Sequence, residues 1–247
     1  MKTNLTKKKI ITVASIFLAL AILVGSCAIY LCSYYRADTA AIESFDPIKS
    51  ISQRTLDDGT IIFEPEGEPV AGLIFYPGGK VEYTSYAPLM AACAEKGILC
   101  VLLKMPFNLA VFRINAANGI QEQFPNIENW YISGHSLGGS MAATYLSKHQ
   151  EAFRGIILLG SYSTADISSD NLTALSIYGS EDKIINQNKY QQNKNNLPST
   201  LKEVILKGGN HAYFGMYGEQ KGDGAARISN EEQIYITAAT IFDFITQ

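Results

Sequence analysis

The sequence predicts an α/β fold: a mostly parallel central sheet flanked by helices, without a large lid, and preceded by one N-terminal transmembrane helix. Three observations carry this prediction. From residue 60 onward, strand-like apolar runs alternate with helix-like segments, the order that builds a parallel sheet. Several of those runs, such as Val70–Tyr76 and Ile98–Leu103, are apolar at nearly every position, as strands buried on both faces are. Residues 10–35 contain no charged residue, which is long enough to cross a bilayer as a helix.

Taken in order, the chain begins with Lys2, Lys7, Lys8 and Lys9 just before the uncharged run. Basic residues stay on the cytoplasmic side, so the chain after Arg36 is expected outside the cell membrane, with Tyr30, Tyr34 and Tyr35 at the far interface. Val24-Gly25-Ser26-Cys27 also has the form of a lipobox, which would make Cys27 a lipidated N-terminus, and ordinary signal cleavage is a third possibility. The apolar run continues past Cys27 through Leu31, which favours the uncleaved single-pass anchor. Residues 37–59 are mixed and polar and read as a tether, so the domain division is 1–36, 37–59 and 60–247. Five of the 20 basic residues and none of the 23 acidic ones lie in the first 36 positions, leaving 15 against 23 and a net charge of −8. That excludes the usual nucleic-acid binder.

Thr60–Phe63 reads as a short strand, and Val70–Tyr76 as a central strand ending in Pro77-Gly78-Gly79. Ser85–Lys96 reads as a helix closed by Gly97, followed by the strand Ile98–Leu103. In the run Met105–Phe112, at the ligand-binding edge of the sheet, Phe107, Asn108 and Phe112 are candidates to line an acyl pocket, with ordinary helix core the alternative reading of the run. Trp130–Ile132 is a strand, Met141–Leu146 suits a helix, and Gly155–Ser161, Leu175–Gly179 and Leu201–Leu206 are further strands. Asn186–Asn195 reads as a polar helix. Ser229 and Glu232 form a capping box for a last helix whose Ile234, Ala238, Ile241 and Ile245 share a face. Cys93 and Cys100 lie in or beside apolar runs and read as core residues.

Gly134-His135-Ser136-Leu137-Gly138-Gly139 stands between a strand and a helix, the pattern of a nucleophile elbow. A serine on that sharp turn adopts strained backbone angles, so the residues two before and two after it must be small. The helix that follows aims free N–H groups and its positive dipole end at the space over Ser136. With Tyr76-Pro77-Gly78-Gly79-Lys80, Gly179-Ser180-Glu181-Asp182 and Gly209-Asn210-His211, the chain from about residue 60 resembles the α/β-hydrolase superfamily, in particular small lidless enzymes similar to dienelactone hydrolase. The departure is the nucleophile, since those enzymes use cysteine where this chain has Ser136.

A serine nucleophile needs a base in hydrogen-bond reach and a carboxylate to orient it. Of three histidines, His135 is locked beside the nucleophile in the elbow, where its backbone is expected to point it away, and His149 ends a polar helix, so His211, after the last strand, is the expected base. Asp182 is the expected acid, with Glu181 a competitor and Asp166 a more distant one. The chain order Ser, Asp, His is that of the hydrolases it resembles. The oxyanion hole is expected from the N–H of Leu137 together with that of Gly79 or Lys80. The loop 212–218 is expected to wall the cleft, with packing in the core the alternative, and the short connection 162–171 predicts an open cleft. No cofactor is expected, and no histidine or cysteine spacing suggests a metal. The expected activity is cleavage of an ester or related acyl bond in a small-molecule or acyl substrate through an acyl-serine. The alternatives are a serine peptidase, an acyltransferase on the same residues, or a surface binding protein that has lost catalysis.

Overall fold

The computed structural model describes residues 2–247, and the side chains of residues 12–48 and 50–247. The chain forms two units, one ending at Tyr34 and one beginning at Tyr35. The first is helix α1 (Lys2–Cys32). Within it, Thr12–Cys32 is 21 residues long with a mean hydropathy of 2.4 and no buried residue, long and apolar enough to cross a membrane. The side chains of Lys2, Lys7, Lys8 and Lys9, on which the expected orientation depends, lie outside the described residues.

Residues 37–59, read from the sequence as a tether, are folded. Helix α2 (Thr39–Ser44) is capped by Asp38, whose side chain accepts from the Ala41 N–H at 3.1 Å. Helix α3 (Asp46–Ser50) and strand β1 (Ser52–Thr55) follow. Phe45, between the two helices, is 1% exposed and packs against Tyr235. Helices this short carry too few apolar positions to set a period, which is why the pattern is not visible in the sequence.

Strand β1 pairs antiparallel with β2 (Ile61–Glu64), and β2 antiparallel with β4 (Ile98–Leu102). The remaining strands are parallel: β3 (Ala71–Tyr76), β4, β5 (Trp130–His135), β6 (Gly155–Leu159), β7 (Thr173–Gly179) and β8 (Lys202–Leu206). The sheet order is β1-β2-β4-β3-β5-β6-β7-β8. From β3 the chain goes outward to β4 and then returns to β5 on the other side of β3. The carboxyl ends of β3 and β5 therefore flank a topological switch point, where open α/β sheets bind ligands.

Alternation along the strands divides the core between the two faces of the sheet. Leu73, Phe75, Cys100 and Leu102 face helices α4 (Ala87–Glu95) and α7 (Asn230–Ile245), which supply Leu89, Met90, Ile234, Ala238 and Ile241. Ile74, Tyr76, Val101, Ile132 and Leu158 face α5 (Leu137–Leu146) with its Ala142, Ala143 and Leu146. Helix α6 (Gln187–Gln192) is the polar helix expected after β7. Ser229 caps α7, its Oγ accepting from the Glu232 N–H at 3.0 Å. Cys93 and Cys100 are buried free thiols, and burial pushes the Cys100 thiol up.

The expected helix at Ser85–Lys96 starts as a 3-10 turn over Tyr83–Tyr86 and becomes α-helical only at Ala87, beside Pro88. Met105–Phe112 is not one helix but two 3-10 turns, Pro106–Asn108 and Ala110–Phe112. Phe107 and Asn108 both sit at φ 54°, in the left-handed region that non-glycine residues seldom occupy.

Candidate active site

Ser136 joins β5 to α5 with φ 52° and ψ −122°, a strained conformation for a side-chain-bearing residue. Several bonds hold it there. Its N–H donates to the Leu159 carbonyl at 2.9 Å, and its own carbonyl accepts from Ser161 Oγ at 2.6 Å. The small residues the turn requires are in place. A Cβ on Gly134 would lie 2.6 Å from the Gly138 carbonyl carbon, and one on Gly138 would collide with the Tyr76 and Pro77 carbonyl oxygens.

His211 lies in the loop after β8, and its Nδ1 is 2.8 Å from Asp182 Oδ2, both side chains being buried. The other carboxylate oxygen, Oδ1, accepts from the Ile184 and Ile185 N–H groups at 2.9 Å each. Asp182 is thus held on three sides, which fixes the face it offers the imidazole and favours the tautomer with the proton on Nδ1. His211 Nε2 is buried and makes no hydrogen bond. Ser136 and His211 line one open cleft of about 250 Å³, shared with Leu137, Tyr162, Ile184, Ile185 and Asn186.

The competing candidates lie elsewhere. Glu181 pairs with Arg227 at 3.3 Å and accepts from Ser180 Oγ. Asp166 is exposed and bonded to Ser168. His149 stacks on Tyr145, with Nδ1 2.8 Å from that residue's carbonyl. Gly79 lies against Leu137, since a Cβ there would be 2.7 Å from Leu137 Cδ2. This puts the backbones of Gly79 and of the first residue of α5 side by side. The Lys80 N–H instead donates to the Asn108 carbonyl at 2.7 Å. That bond takes the donor expected of Lys80, and Gly79 remains as the second candidate.

Two expectations about the cleft need correction. Phe107 and Phe112 are 57% and 56% exposed, and neither they nor Asn108 line it. In the loop 212–218, Phe214, Met216 and Tyr217 are buried in the same core as the inner faces of α4 and α7, the packing alternative, and do not wall the cleft. Ile184–Asn186 and Tyr162 form the wall.

Three residues important to the geometry had no role assigned from the sequence. His135 is 1% exposed and its ring meets that of His211 at a tilt of 47°, with centroids 4.4 Å apart. Its Nδ1 is 2.8 Å from Tyr86 Oη, which also accepts from the Gly78 N–H at 3.2 Å. Burial first, and the neighbouring His211 second, hold the His135 imidazole well below its ordinary pKa. Burial likewise pushes the Tyr86 phenol up. The third is Gln233 of α7, fully buried, which clamps the backbone of Asn210 beside the imidazole. It accepts from the Asn210 N–H at 3.0 Å and donates to the Asn210 carbonyl at 2.8 Å. A glutamine on the apolar side of α7 was the available signal. Among the described residues, no three His, Cys, Asp or Glu side chains gather as metal ligands.

Residues 72–235 match the model of the alpha/beta hydrolase family. The chain belongs to that family. It is therefore an enzyme of a hydrolytic family. Solved structures with the same fold include a predicted CIB-like hydrolase from Thermoplasma acidophilum. That protein is 14% identical, with 78% of this chain and 98% of that one covered, and a TM-score of 0.52. Est1E from Butyrivibrio proteoclasticus is 12% identical, over 79% of this chain and 97% of that one, at a TM-score of 0.56. The Francisella virulence factor BioJ is 14% identical, over 85% and 91%, at a TM-score of 0.58. At these identities the likeness is one of fold. No curated protein matches the sequence.

Proposed function

We propose that this enzyme is a serine hydrolase that cleaves an ester or related acyl bond through an acyl-Ser136 intermediate. The observation that carries the proposal is His211, whose Nδ1 is bonded to buried Asp182 while its Nε2 is unpartnered beside the cleft that Ser136 lines. In the proposed reaction, Nε2 takes the proton from Ser136 Oγ as Oγ attacks the carbonyl carbon. Asp182 stabilises the resulting imidazolium, and the N–H groups of Leu137 and Gly79 hold the oxyanion. The leaving alcohol departs with the proton from Nε2. Water then repeats the sequence on the acyl-enzyme, returning serine and a free acid. Catalytic hydrogen bonds are often long before substrate binds, so the missing Oγ–Nε2 bond is compatible with these roles.

The cleft of about 250 Å³ accommodates the reacting carbonyl and a few carbons on either side, so the bulk of a larger substrate lies outside it. We include the finer likeness to small dienelactone-hydrolase-type enzymes in the proposal, on the residues quoted above, with serine in place of their cysteine. A fluorophosphonate probe is expected to label the wild type and to leave Ser136→Ala unlabelled. Equal labelling of both removes Ser136 from its role. Turnover of p-nitrophenyl esters compared with peptide amides and acceptor alcohols separates an esterase from a peptidase or an acyltransferase.

The proposal also makes Thr12–Cys32 a single-pass anchor with the catalytic unit outside the cytoplasm, supported by its length and hydropathy. The full chain is then expected to stay in the membrane pellet through alkaline carbonate extraction. Its release into the supernatant overturns the anchor.

A further inference from the structure

The folded unit begins at the rim of the candidate active site. The Tyr35 N–H donates to the Lys80 carbonyl at 2.8 Å, and the Glu82 N–H donates to the Tyr35 carbonyl at 2.9 Å. Tyr35 thereby forms a parallel bridge with Val81, two residues beyond Gly79. The same Lys80 donates its N–H to the Asn108 carbonyl at 2.7 Å, so the 105–112 segment is tied to this rim as well. Only Ser33 and Tyr34 separate Tyr35 from Cys32, the last residue of the apolar helix. Three peptide units reach at most about 11 Å. By covalent continuity alone, the end of a membrane anchor keeps this rim near the bilayer surface.

The segment tied to Lys80 has the surface chemistry such a position calls for. Phe107, Phe112 and Val111 are 57%, 56% and 44% exposed, and the two rings meet edge to face at 5.8 Å. They are the only two exposed phenylalanines among the described residues of the folded unit. A bulky aromatic at φ 54°, followed by Asn108 also at φ 54°, is a costly way to put a ring into water. Burial in a lipid interface offsets that cost, because aromatic side chains on a rim enter the headgroup region readily.

We propose that Phe107, Val111 and Phe112 insert into the bilayer surface beside the anchor, so that the active-site mouth takes its acyl substrate from the membrane. The proposal rests on the hydrolase and anchor readings above, and its test separates the three. The full chain is reconstituted in phosphatidylcholine vesicles that contain brominated lipid. The native tryptophan, Trp130, is buried and gives a constant background. In Phe112→Trp the added tryptophan is quenched. In Glu151→Trp, at the amino edge of the sheet, it is not. No quenching at 112, or equal quenching at both positions, overturns the proposal even where carbonate extraction upholds the anchor and probe labelling upholds the hydrolase.

A second measurement reads the substrate. Phe107→Ser/Phe112→Ser is expected to cleave a long-chain acyl ester dissolved in the vesicles at least about tenfold more slowly than wild type. It is expected to cleave a water-soluble short-chain ester at the wild-type rate. Unchanged turnover of both esters, or a parallel loss on both, overturns membrane uptake. If neither ester is cleaved and no probe labels the protein, the hydrolase reading fails, and quenching at 112 alone decides the insertion.

Discussion

The rings of His135 and His211 meet at a tilt of 47°, yet their surroundings suit them to opposite tasks. His211 has one nitrogen on a carboxylate and the other beside the cleft, while His135 is enclosed by Tyr86, Phe214 and His211 itself. An imidazole held well below its ordinary pKa stays neutral in the folded protein. This keeps a second positive charge away from the imidazolium that the proposed reaction forms on His211. The same burial has a consequence for stability. In the unfolded chain His135 takes up a proton below about pH 6.5, whereas in the folded chain it does not. Its contribution is therefore intact above that value and is lost as pH falls toward the lowered folded pKa, by at most about 1.4 kcal/mol per pH unit. In His135→Gln, whose amide oxygen can accept from Tyr86, the loss of stability between about pH 7 and about pH 5 is expected to be smaller than in wild type. Urea unfolding of the detergent-solubilised chain at both pH values measures the difference. An unchanged pH slope contradicts the neutral, buried histidine.

At the scale of elements, the candidate site depends on three strand ends and on one helix that touches none of the reacting atoms. Gln233 of α7 holds Asn210 through two backbone bonds, and Asn210 precedes His211. Gln233→Leu leaves a buried N–H and a buried carbonyl without partners, an expected loss of about 1–3 kcal/mol of stability. It also loosens the loop that aims the imidazole. Esterase kcat is expected to fall about tenfold or more, since small misplacements at a reacting centre are costly. Melting curves and steady-state kinetics read the two effects separately, and full activity with lowered stability would remove the aiming role. This clamp also shows what the sequence could and could not disclose. Ser136, Asp182 and His211 stand out locally, each in a short glycine-bearing turn after an apolar strand. The Gln233–Asn210 bond, the His135–Tyr86 bond and the Lys80–Asn108 bond each join distant positions, and no local period records such pairings. The parallel strands were visible because apolar runs persist in them. The 105–112 segment was not, because its two left-handed residues follow from tertiary contacts and not from any propensity of phenylalanine.

For the whole molecule, the segment between α1 and the sheet is part of the catalytic unit. Tyr35 bridges to Val81, and the Asp38 N–H donates to the Met216 carbonyl at 2.9 Å. Phe45 is buried against Tyr235, and β1 adds an edge strand beside β2. A linker built only for reach would need none of these contacts, and its removal would leave stability unchanged. The structure instead predicts a threshold. A chain beginning at Tyr35 is expected to keep one cooperative thermal transition close to that of the full protein. A chain beginning at Thr60 loses Phe45, and with it about 3–5 kcal/mol by the cost of emptying a buried aromatic site. It also exposes β2 as an unprotected sheet edge. The shorter chain is accordingly expected to melt well below the longer one and to aggregate on concentration. Circular dichroism melts and size-exclusion chromatography of the two chains decide between these pictures. Coincident melting curves would return residues 37–59 to the role of a simple tether.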